Sequence, residues 1–193
     1  MEQVREPRDA AASPARRGRA LEQLDVLVAE LAAARIGSTY NQYAGSRDLR
    51  TRLSAYLAMR AEARIVLVGE AAGYRGARVS GIPFTSERQL TGAGPAEASA
   101  TIVHRVLAEL GLAEHVLLWN VVPTHPGTAT SNRPPTAAEI AASRPFLEAV
   151  ASGRTPVAVG RVAAAALEAP YVRHPSHGGA RAFAEGLRRT LSL

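Results

Sequence analysis

The chain has 193 residues, enough for one domain with a sizeable core, and its 47% hydrophobic and 21% charged residues are typical of soluble globular proteins. It contains no cysteine, which excludes disulfides, thiol nucleophiles and cysteine-ligated zinc or iron–sulfur sites. All 23 of its Lys and Arg residues are arginine, so a lysine Schiff base and a complete Walker-type phosphate loop are excluded as well.

The basic charge points only weakly to a partner. A net charge of +6 suits a polyanion, because arginine binds phosphate both as a charge and as a bidentate fork. An alanine-rich, lysine-free composition also follows from high-GC coding, however, and a solvated basic surface need bind nothing. The N-terminus has no signal-peptide pattern and no apolar run is long enough to cross a bilayer, so we expect a cytoplasmic protein that does not bind membranes.

The first third of the chain predicts a tail, two helices and a strand. Residues 1–18 are rich in Pro, Ala and Arg without periodicity, which favours a flexible tail ahead of a single domain over 19–193. Apolar residues at helical spacing predict helices over 20–35 and 47–63. A short apolar run over 65–68 then predicts a buried strand that ends at glycine and opens into a long functional loop.

The rest of the chain alternates helices with short apolar strands. We predict a helix over 95–111, a strand over 115–120, and a proline-rich loop that ends at Thr136, where Glu139 three residues later completes the pattern of a helix N-terminus. Further predicted elements are a helix to about 150, a strand over 156–160, a helix over 161–168, a strand over 171–173 and a helix over 180–191. This order predicts an α/β fold, a three-layer α/β/α sandwich with a central parallel sheet of about four strands.

Polar residues follow three of the predicted strands. Glu70 follows the first strand, Asn120 ends the second and His174 follows the fourth, while Phe84 lies on the loop after the first. The carboxyl ends of parallel strands meet at one edge of a sheet, so we expect these side chains to converge. An amide that reads an edge, a ring that stacks and an imidazole that stabilises charge together suit a planar heterocycle.

Each of these residues also has a purely structural interpretation. The glycine-rich stretch 69–76 fits a tight turn in which Glu70 caps a helix, and Phe84 fits a core position. Asn120 could cap a turn, and His174 could be a surface loop residue. The five histidines show no metal-binding spacing and no accompanying carboxylate cluster, so we expect no metal site.

Taken together, five short motifs resemble those of the uracil-DNA glycosylase superfamily, over about residues 64–191. Their order, spacing and positions at strand ends carry the resemblance. The motifs are Gly69-Glu70-Ala71-Ala72-Gly73, Gly81-Ile82-Pro83-Phe84, Trp119-Asn120-Val121-Val122-Pro123, Asn132-Arg133-Pro134-Pro135-Thr136 and His174-Pro175-Ser176.

The resemblance implies a monofunctional DNA glycosylase of base excision repair, which flips uracil out of DNA and hydrolyses its glycosidic bond. It implies Glu70 and His174 as catalytic residues, with His174 aimed at the base oxygen O2, and Ala71, Phe84 and Asn120 as base-binding residues. The expected partner is DNA containing uracil or another deaminated base, bound by a monomer without a cofactor. Residues expected to hold DNA are Arg75, Arg78, Ser176, His177 and Arg181.

The first motif departs from the family pattern at three positions. Ala71 stands where the best-known members have Asp and others Asn, Ala72 replaces a proline, and Gly73 lacks the Tyr that excludes the thymine methyl, with Tyr74 one residue away. Bacterial relatives often carry a four-cysteine iron–sulfur cluster, so this chain would belong to a cluster-free branch.

Three alternatives follow from these departures and from the fold. The pocket could prefer hypoxanthine or xanthine, or the protein could bind lesion DNA without hydrolysing it. A Rossmann-like small-molecule binder is a further alternative, which the missing dinucleotide fingerprint disfavours.

Overall fold

In a computed structural model, which describes residues 14–176 and 178–193, four strands and eight helices are assigned. The predicted tail at 1–18 lies for the most part outside the described residues. The elements are α1 (Pro14–Ala33), α2 (Arg47–Met59), β1 (Ile65–Ala71), α3 (Ala77–Ser80), α4 (Glu87–Thr91), α5 (Ala98–Glu109), β2 (Val116–Val122), α6 (Ala137–Ala151), β3 (Thr155–Val159), α7 (Arg161–Leu167), β4 (Tyr171–Val172) and α8 (Ala180–Leu191).

The strands form one sheet in the order β2-β1-β3-β4, and every pairing is parallel. The predicted α/β class, with its central four-stranded parallel sheet and three-layer α/β/α architecture, is confirmed. From β1 the chain continues to β2 at one edge of the sheet and then crosses over to β3 on the opposite side of β1. The connections therefore run in opposite directions from β1 and diverge between β1 and β3. Such a switch point leaves a crevice beyond the carboxyl ends of the strands.

The central strand β1 is longer than the sequence predicts. The apolar run ends before Gly69, but the strand continues to Ala71 because Gly69 pairs with Asn120 and Ala71 pairs with Val122 on β2. Sheet pairing overrides the weak strand preference of glycine, alanine and glutamate in this segment. The first motif therefore lies on a strand end held by its neighbour, and the loop begins only after it.

Apolar side chains of all four strands enter one core. Every residue of β2 is buried although it is an edge strand, and the backbone N–H of Leu118 donates to the hydroxyl of Tyr56 on α2 at 2.7 Å. This bond satisfies an edge donor that would otherwise be exposed or orphaned. Helix α6 packs on β2, α7 packs on β1, β2 and β3, and α8 packs on β4. Within the described residues, no helix is long and apolar enough to cross a membrane.

Helix boundaries differ from the sequence predictions at both starts and ends, and α2 ends at Met59 where the prediction extends to residue 63. Helix α1 begins at Pro14 and not near residue 20, which is compatible with proline because the first helical residue needs no N–H partner. Helix α5 begins at Ala98, three residues later than predicted. The predicted start of α6 is confirmed: the Thr136 side chain accepts the N–H of Glu139, and the Glu139 carboxylate accepts the N–H of Thr136.

Candidate active site

A cleft of about 580 Å³ opens beyond the carboxyl ends of β1, β3 and β4. The end of β1 contributes Glu70 and Ala71, β3 leads into Gly160 and Arg161, and the segment after β4 contributes Arg173 and His174. A smaller inner pocket continues from this cleft down to Phe84 and Asn120. The cleft therefore occupies the crevice that the sheet topology creates.

The structure brings the five residues expected to be catalytic or base-binding to the inner pocket. Glu70, Ala71, Phe84, Asn120 and His174 all line it, although they lie far apart in the sequence. Four of them extend from the ends of β1 and β2 and from the segment after β4, and Phe84 lies on the loop after β1. The convergence that strand order predicted is present in the fold, and the roles of the side chains stay predictions.

Phe84 packs its ring against the backbone of Gly69. A Cβ at residue 69 would overlap the Phe84 ring and lie 2.9 Å from Oδ1 of Asn120, so only glycine lets both side chains meet over this strand end. Phe84 has a φ of 51°, a left-handed conformation that is strained for a bulky residue. Strain of this kind persists where the surroundings impose it, which is typical of functional sites.

The turn that carries Phe84 is fixed from beneath. The buried hydroxyl of Ser80 donates to the carbonyl of Thr85 at 2.6 Å and accepts the N–H of Ile82 at 3.1 Å. The Tyr43 hydroxyl, on the segment before α2, donates to the carbonyl of Gly81 at 2.9 Å. These bonds fix the turn on both sides of Phe84, so the position of its ring is preorganised.

His174 is oriented by the turn that follows it. The backbone N–H of Ser176 donates to Nδ1 of His174 at 3.2 Å, and the Ser176 hydroxyl lies 2.8 Å from the same nitrogen. Because an amide can only donate, Nδ1 is the acceptor, and the neutral ring carries its proton on Nε2. A Cβ at Gly179 would overlap the His174 carbonyl oxygen, so this glycine permits the tight turn. His174 thus presents a hydrogen-bond donor.

The pocket contains two carboxylates, of which the sequence predicted only Glu70. Glu97, the residue before α5, lines both the cleft and the inner pocket, as does Ser99. Burial raises the pKa of Glu70 and that of Glu97, and for Glu97 a hydrogen-bonding interaction with the Ser99 side chain opposes the rise. Glu97 falls inside the helix predicted over 95–111 and does not follow a strand, so the rule that selects Glu70 does not select it.

The predicted DNA-binding residues are dispersed. Arg75 stacks on Tyr74 with its guanidinium carbon 5.3 Å from the ring centre, Arg78 stacks on Tyr40 at 4.8 Å, and exposed Arg181 pairs with Glu185 on α8. None of these three arginines lines the cleft. Ser176 does line it, through the turn that orients His174, and His177 lies outside the described residues.

The arginines at the cleft are Arg133, Arg161 and Arg173. The rule that selects Glu70, a polar residue after a strand, also selects Arg161, which follows β3 and Gly160. In the sequence, Arg161 is the first residue of a predicted helix, and that pattern does not identify it as a site residue. Arg173 directly follows β4, so the same rule applies to it.

The Asn132-Arg133 motif closes one side of the cleft. Oδ1 of Asn132 accepts the backbone N–H of Tyr74 at 2.9 Å, which joins this loop to the loop after β1. Arg133 forms a bidentate ion pair with buried Glu139 at 2.6 and 2.8 Å, and this pair is the main cause of a Glu139 pKa lowered to about 2. The motif acts here as an anchor of the site wall.

Metal binding finds no support in the geometry. Within residues 14–176 and 178–193, no three His, Asp or Glu side chains come close enough together to hold a metal ion. The cleft can still perform acid–base and hydrogen-bonding chemistry on a planar ligand, with an amide, an aromatic ring, an imidazole donor and two carboxylates at one pocket.

Comparisons with known proteins agree with this geometry. The model of the uracil DNA glycosylase superfamily matches residues 58–189, which include every element from β1 to β4. Among solved structures, the chain is similar to wild-type SMUG2 of Pedobacter heparinus, with a TM-score of 0.66 and 14% sequence identity over 90% of this chain and 97% of that one. At that identity the likeness concerns the fold. No curated protein sequence matches the chain.

Proposed function

The chain belongs to the uracil DNA glycosylase superfamily, and we propose that it excises uracil from DNA by monofunctional hydrolysis of the N-glycosidic bond. The observation that carries the proposal is the meeting of Phe84, Asn120 and His174 at one pocket beyond the strand ends. A base inside the duplex is out of reach of this pocket, so the target nucleotide has to be flipped out of the stack.

Base recognition falls to Asn120 and Phe84. The Asn120 side chain is almost fully buried, with 4% exposure. Its amide is therefore already removed from water and can pair with the edge of a base. The preorganised Phe84 ring supplies a surface for the face of the base. An amide has both a donor and an acceptor, which is what the O4 and N3–H edge of uracil requires.

Departure of the base falls to His174. As the N1–C1′ bond breaks, its electron pair moves to the base and negative charge builds up on the base oxygen O2. A neutral imidazole that donates from Nε2 would stabilise this charge without first having to gain a proton. Residue 71 has no polar side chain, so we assign orientation of the attacking water to Glu70.

DNA binding is proposed for the arginines at the cleft. Arg161, the first residue of α7, and Arg173, directly after β4, both line it. These cations would hold phosphates beside the extruded nucleotide. The other predicted DNA-binding arginines lie further from the cleft and would bind more distant phosphates. They are Arg75, Arg78 and Arg181.

The absence of lysine supports a monofunctional enzyme. A combined glycosylase and lyase needs an amine that forms a Schiff base with the abasic sugar, and this chain has no lysine side chain to supply it. We therefore expect an intact abasic strand as the product, together with the free base.

The test is a base-release assay. Single- and double-stranded oligonucleotides with one uracil, hypoxanthine, xanthine or thymine are incubated with the protein, and abasic sites are then cleaved with alkali. Scission of the uracil strands only after alkali is the expected result, and the thymine strand is the control. Scission limited to hypoxanthine or xanthine would reassign the substrate, and tight retention without scission would identify a binding protein. No scission and no retention would overturn the proposal.

A further inference from the structure

Glu97 is a titratable side chain at the pocket to which the proposed mechanism gives no role. It occupies the N-cap position of α5, yet that helix has no side-chain cap hydrogen bond, so the carboxylate does not cap the backbone of its own helix. It lines the pocket instead, together with Glu70, Phe84, Asn120 and His174. This partly buried carboxylate faces the cleft and does not bind the backbone N–H groups that an N-cap side chain usually binds. Its position therefore requires an explanation.

Two glycines of the loop after β1 make room for this carboxylate. A Cβ at Gly73 would lie 2.5 Å from Oε1 of Glu97 and 3.2 Å from Oε2, and a Cβ at Gly76 would overlap Oε2. Neither glycine has a positive φ, although the ψ of −117° at Gly76 also lies outside the regions that other residues prefer. The spacing of Gly73 and Gly76, which in the sequence resembles a loose glycine-rich turn, therefore leaves space for one side chain from the start of α5.

On the premise of the proposed function, we propose that Glu97 is a catalytic residue, the proton acceptor for the water that attacks C1′. In this step the water oxygen forms a bond to C1′ as the N1–C1′ bond breaks, and the bonding electron pair leaves with the base. The water gives one proton to the Glu97 carboxylate. That proton then passes to the released base anion or to solvent, so atoms and charge balance without a further reactant.

Three observations favour Glu97 for this role. Residue 71, at the end of β1, is alanine and has no group that accepts a proton. Glu97 shares the pocket with His174, which puts a proton acceptor and a donor for the leaving base around the same bound nucleotide. Burial strengthens a carboxylate as a base, and burial is the largest influence on the pKa of Glu97.

The other titratable groups that face the site come from several elements. Glu70 stands at the end of β1, and His174 follows β4. Among the described residues, the remaining ones lie around the outer cleft and are Arg133, Arg161, Tyr171 and Arg173. Any pH dependence of the reaction therefore has to be assigned by comparing variants of Glu97 with variants of Glu70.

The experiment compares Glu97→Gln with the wild type on uracil DNA under single-turnover conditions. The amide has the same shape as the carboxylate but cannot accept the proton, so we expect the excision rate to fall by about 10² to 10³-fold. Binding to an oligonucleotide with 2′-fluoro-2′-deoxyuridine, whose fluorine blocks bond cleavage, should not change. Glu109→Gln, the same substitution at the exposed far end of α5, is the matched control and should excise at the wild-type rate.

Two further measurements separate chemistry from structure. The acid side of the wild-type pH–rate profile, where the carboxylate becomes protonated, should be absent in Glu97→Gln and present in Glu70→Gln. Added formate should restore part of the activity of Glu97→Ala, because a small carboxylate can enter the space that is left.

The outcomes distinguish the two proposals. If the wild type releases no base, the proposed function fails and this inference fails with it. If the wild type is active and Glu97→Gln excises as fast across the pH range, the inference alone is overturned. Equal losses of excision and of fluorinated-DNA binding would also overturn it, since Glu97 would then only hold the loop.

Discussion

Two carboxylates at helix starts, Glu97 before α5 and Glu139 in the first turn of α6, have opposite environments. Glu139 accepts hydrogen bonds from Arg133, from the N–H of Thr136 and from Ser38, and its pKa falls to about 2. Glu97 faces the pocket, with burial as the largest influence, and its pKa rises. The number of donors around a buried carboxylate therefore decides whether its pKa falls, as at Glu139, or rises, as at Glu97.

The same contrast extends to the two regions around these residues. The Arg133–Glu139 pair ties the 37–38 turn, the proline-rich loop and α6 into one wall, and Glu139 is only 1% exposed. The pocket edge around Glu70, Glu97 and His174 is open to ligand. Substitutions in the wall should therefore reduce stability before activity, and substitutions at the edge should do the reverse.

The largest expected effect is on activity, from His174→Ala at the pocket edge. Removal of the Nε2–H donor leaves the charge on the departing base unsupported, so excision of uracil should fall by about 10² to 10³-fold. The melting temperature should stay within about 2 °C of the wild type, because His174 is only partly buried. A clear fall in the melting temperature of this variant would contradict the proposed difference between the pocket edge and the wall. Single-turnover kinetics and thermal unfolding of the same preparation measure both.

The next largest effect is on stability, from Glu139→Ala in the wall. Removal of this side chain leaves Arg133 without its carboxylate and removes a cap from α6, so the free energy of unfolding should fall by about 3 kcal/mol. Glu148→Ala, in the same helix but exposed and paired only with Arg144, is the control and should cost about 0.5 kcal/mol or less. Urea unfolding measures both. An equal effect of the two variants would show that the buried pair contributes nothing.

Acid should reveal the same pair in the wild type. The pKa of Glu139 is lowered by folding from 4.5 to about 2, so its contribution is complete above about pH 4.5 and is lost as the pH falls toward 2. The stability of the wild type should therefore decline more steeply over this interval than that of Glu139→Gln, in which the group does not titrate. Parallel curves would contradict the assignment.

A smaller effect on activity is expected from Gly69→Ala on the central strand. The added methyl group would overlap the ring of Phe84 and crowd Oδ1 of Asn120, so both base-binding side chains have to shift. We expect excision to fall by about 30-fold, and the affinity for fluorinated DNA to fall with it, since the damage is to binding of the base. Gly45→Ala, at an exposed position with open space around it and no positive φ, is a control for loss of glycine itself. Wild-type affinity in Gly69→Ala would exclude Phe84 and Asn120 from the base pocket.

The smallest effect should come from Arg161→Ala at the rim of the cleft. Loss of one phosphate contact should weaken DNA binding about fivefold and reduce the slope of log affinity against log salt by about one. Arg144→Ala, an exposed arginine of α6 paired with Glu148, is the control and should leave the slope unchanged. Fluorescence anisotropy over a range of salt concentrations tests this. An unchanged slope in Arg161→Ala would remove this residue from the DNA surface.

The sequence by itself determined the class of fold and the residues expected at the base pocket. Strand and helix periodicities reflect burial of apolar side chains, which is a local property of the chain, and parallel topology brings polar residues after strands to one edge. Glu70, Phe84, Asn120 and His174 can therefore be selected from the order of residues along the chain.

Tertiary structure alone decided the remainder. The extension of β1 through Ala71 depends on pairing with β2, and the need for glycine at positions 69 and 76 depends on side chains distant in sequence. The distinct environments of Glu97 and Glu139 have the same origin. Both stand at helix starts in the sequence, and only the packing of distant segments determines how many donors surround each carboxylate and hence the direction in which its pKa shifts.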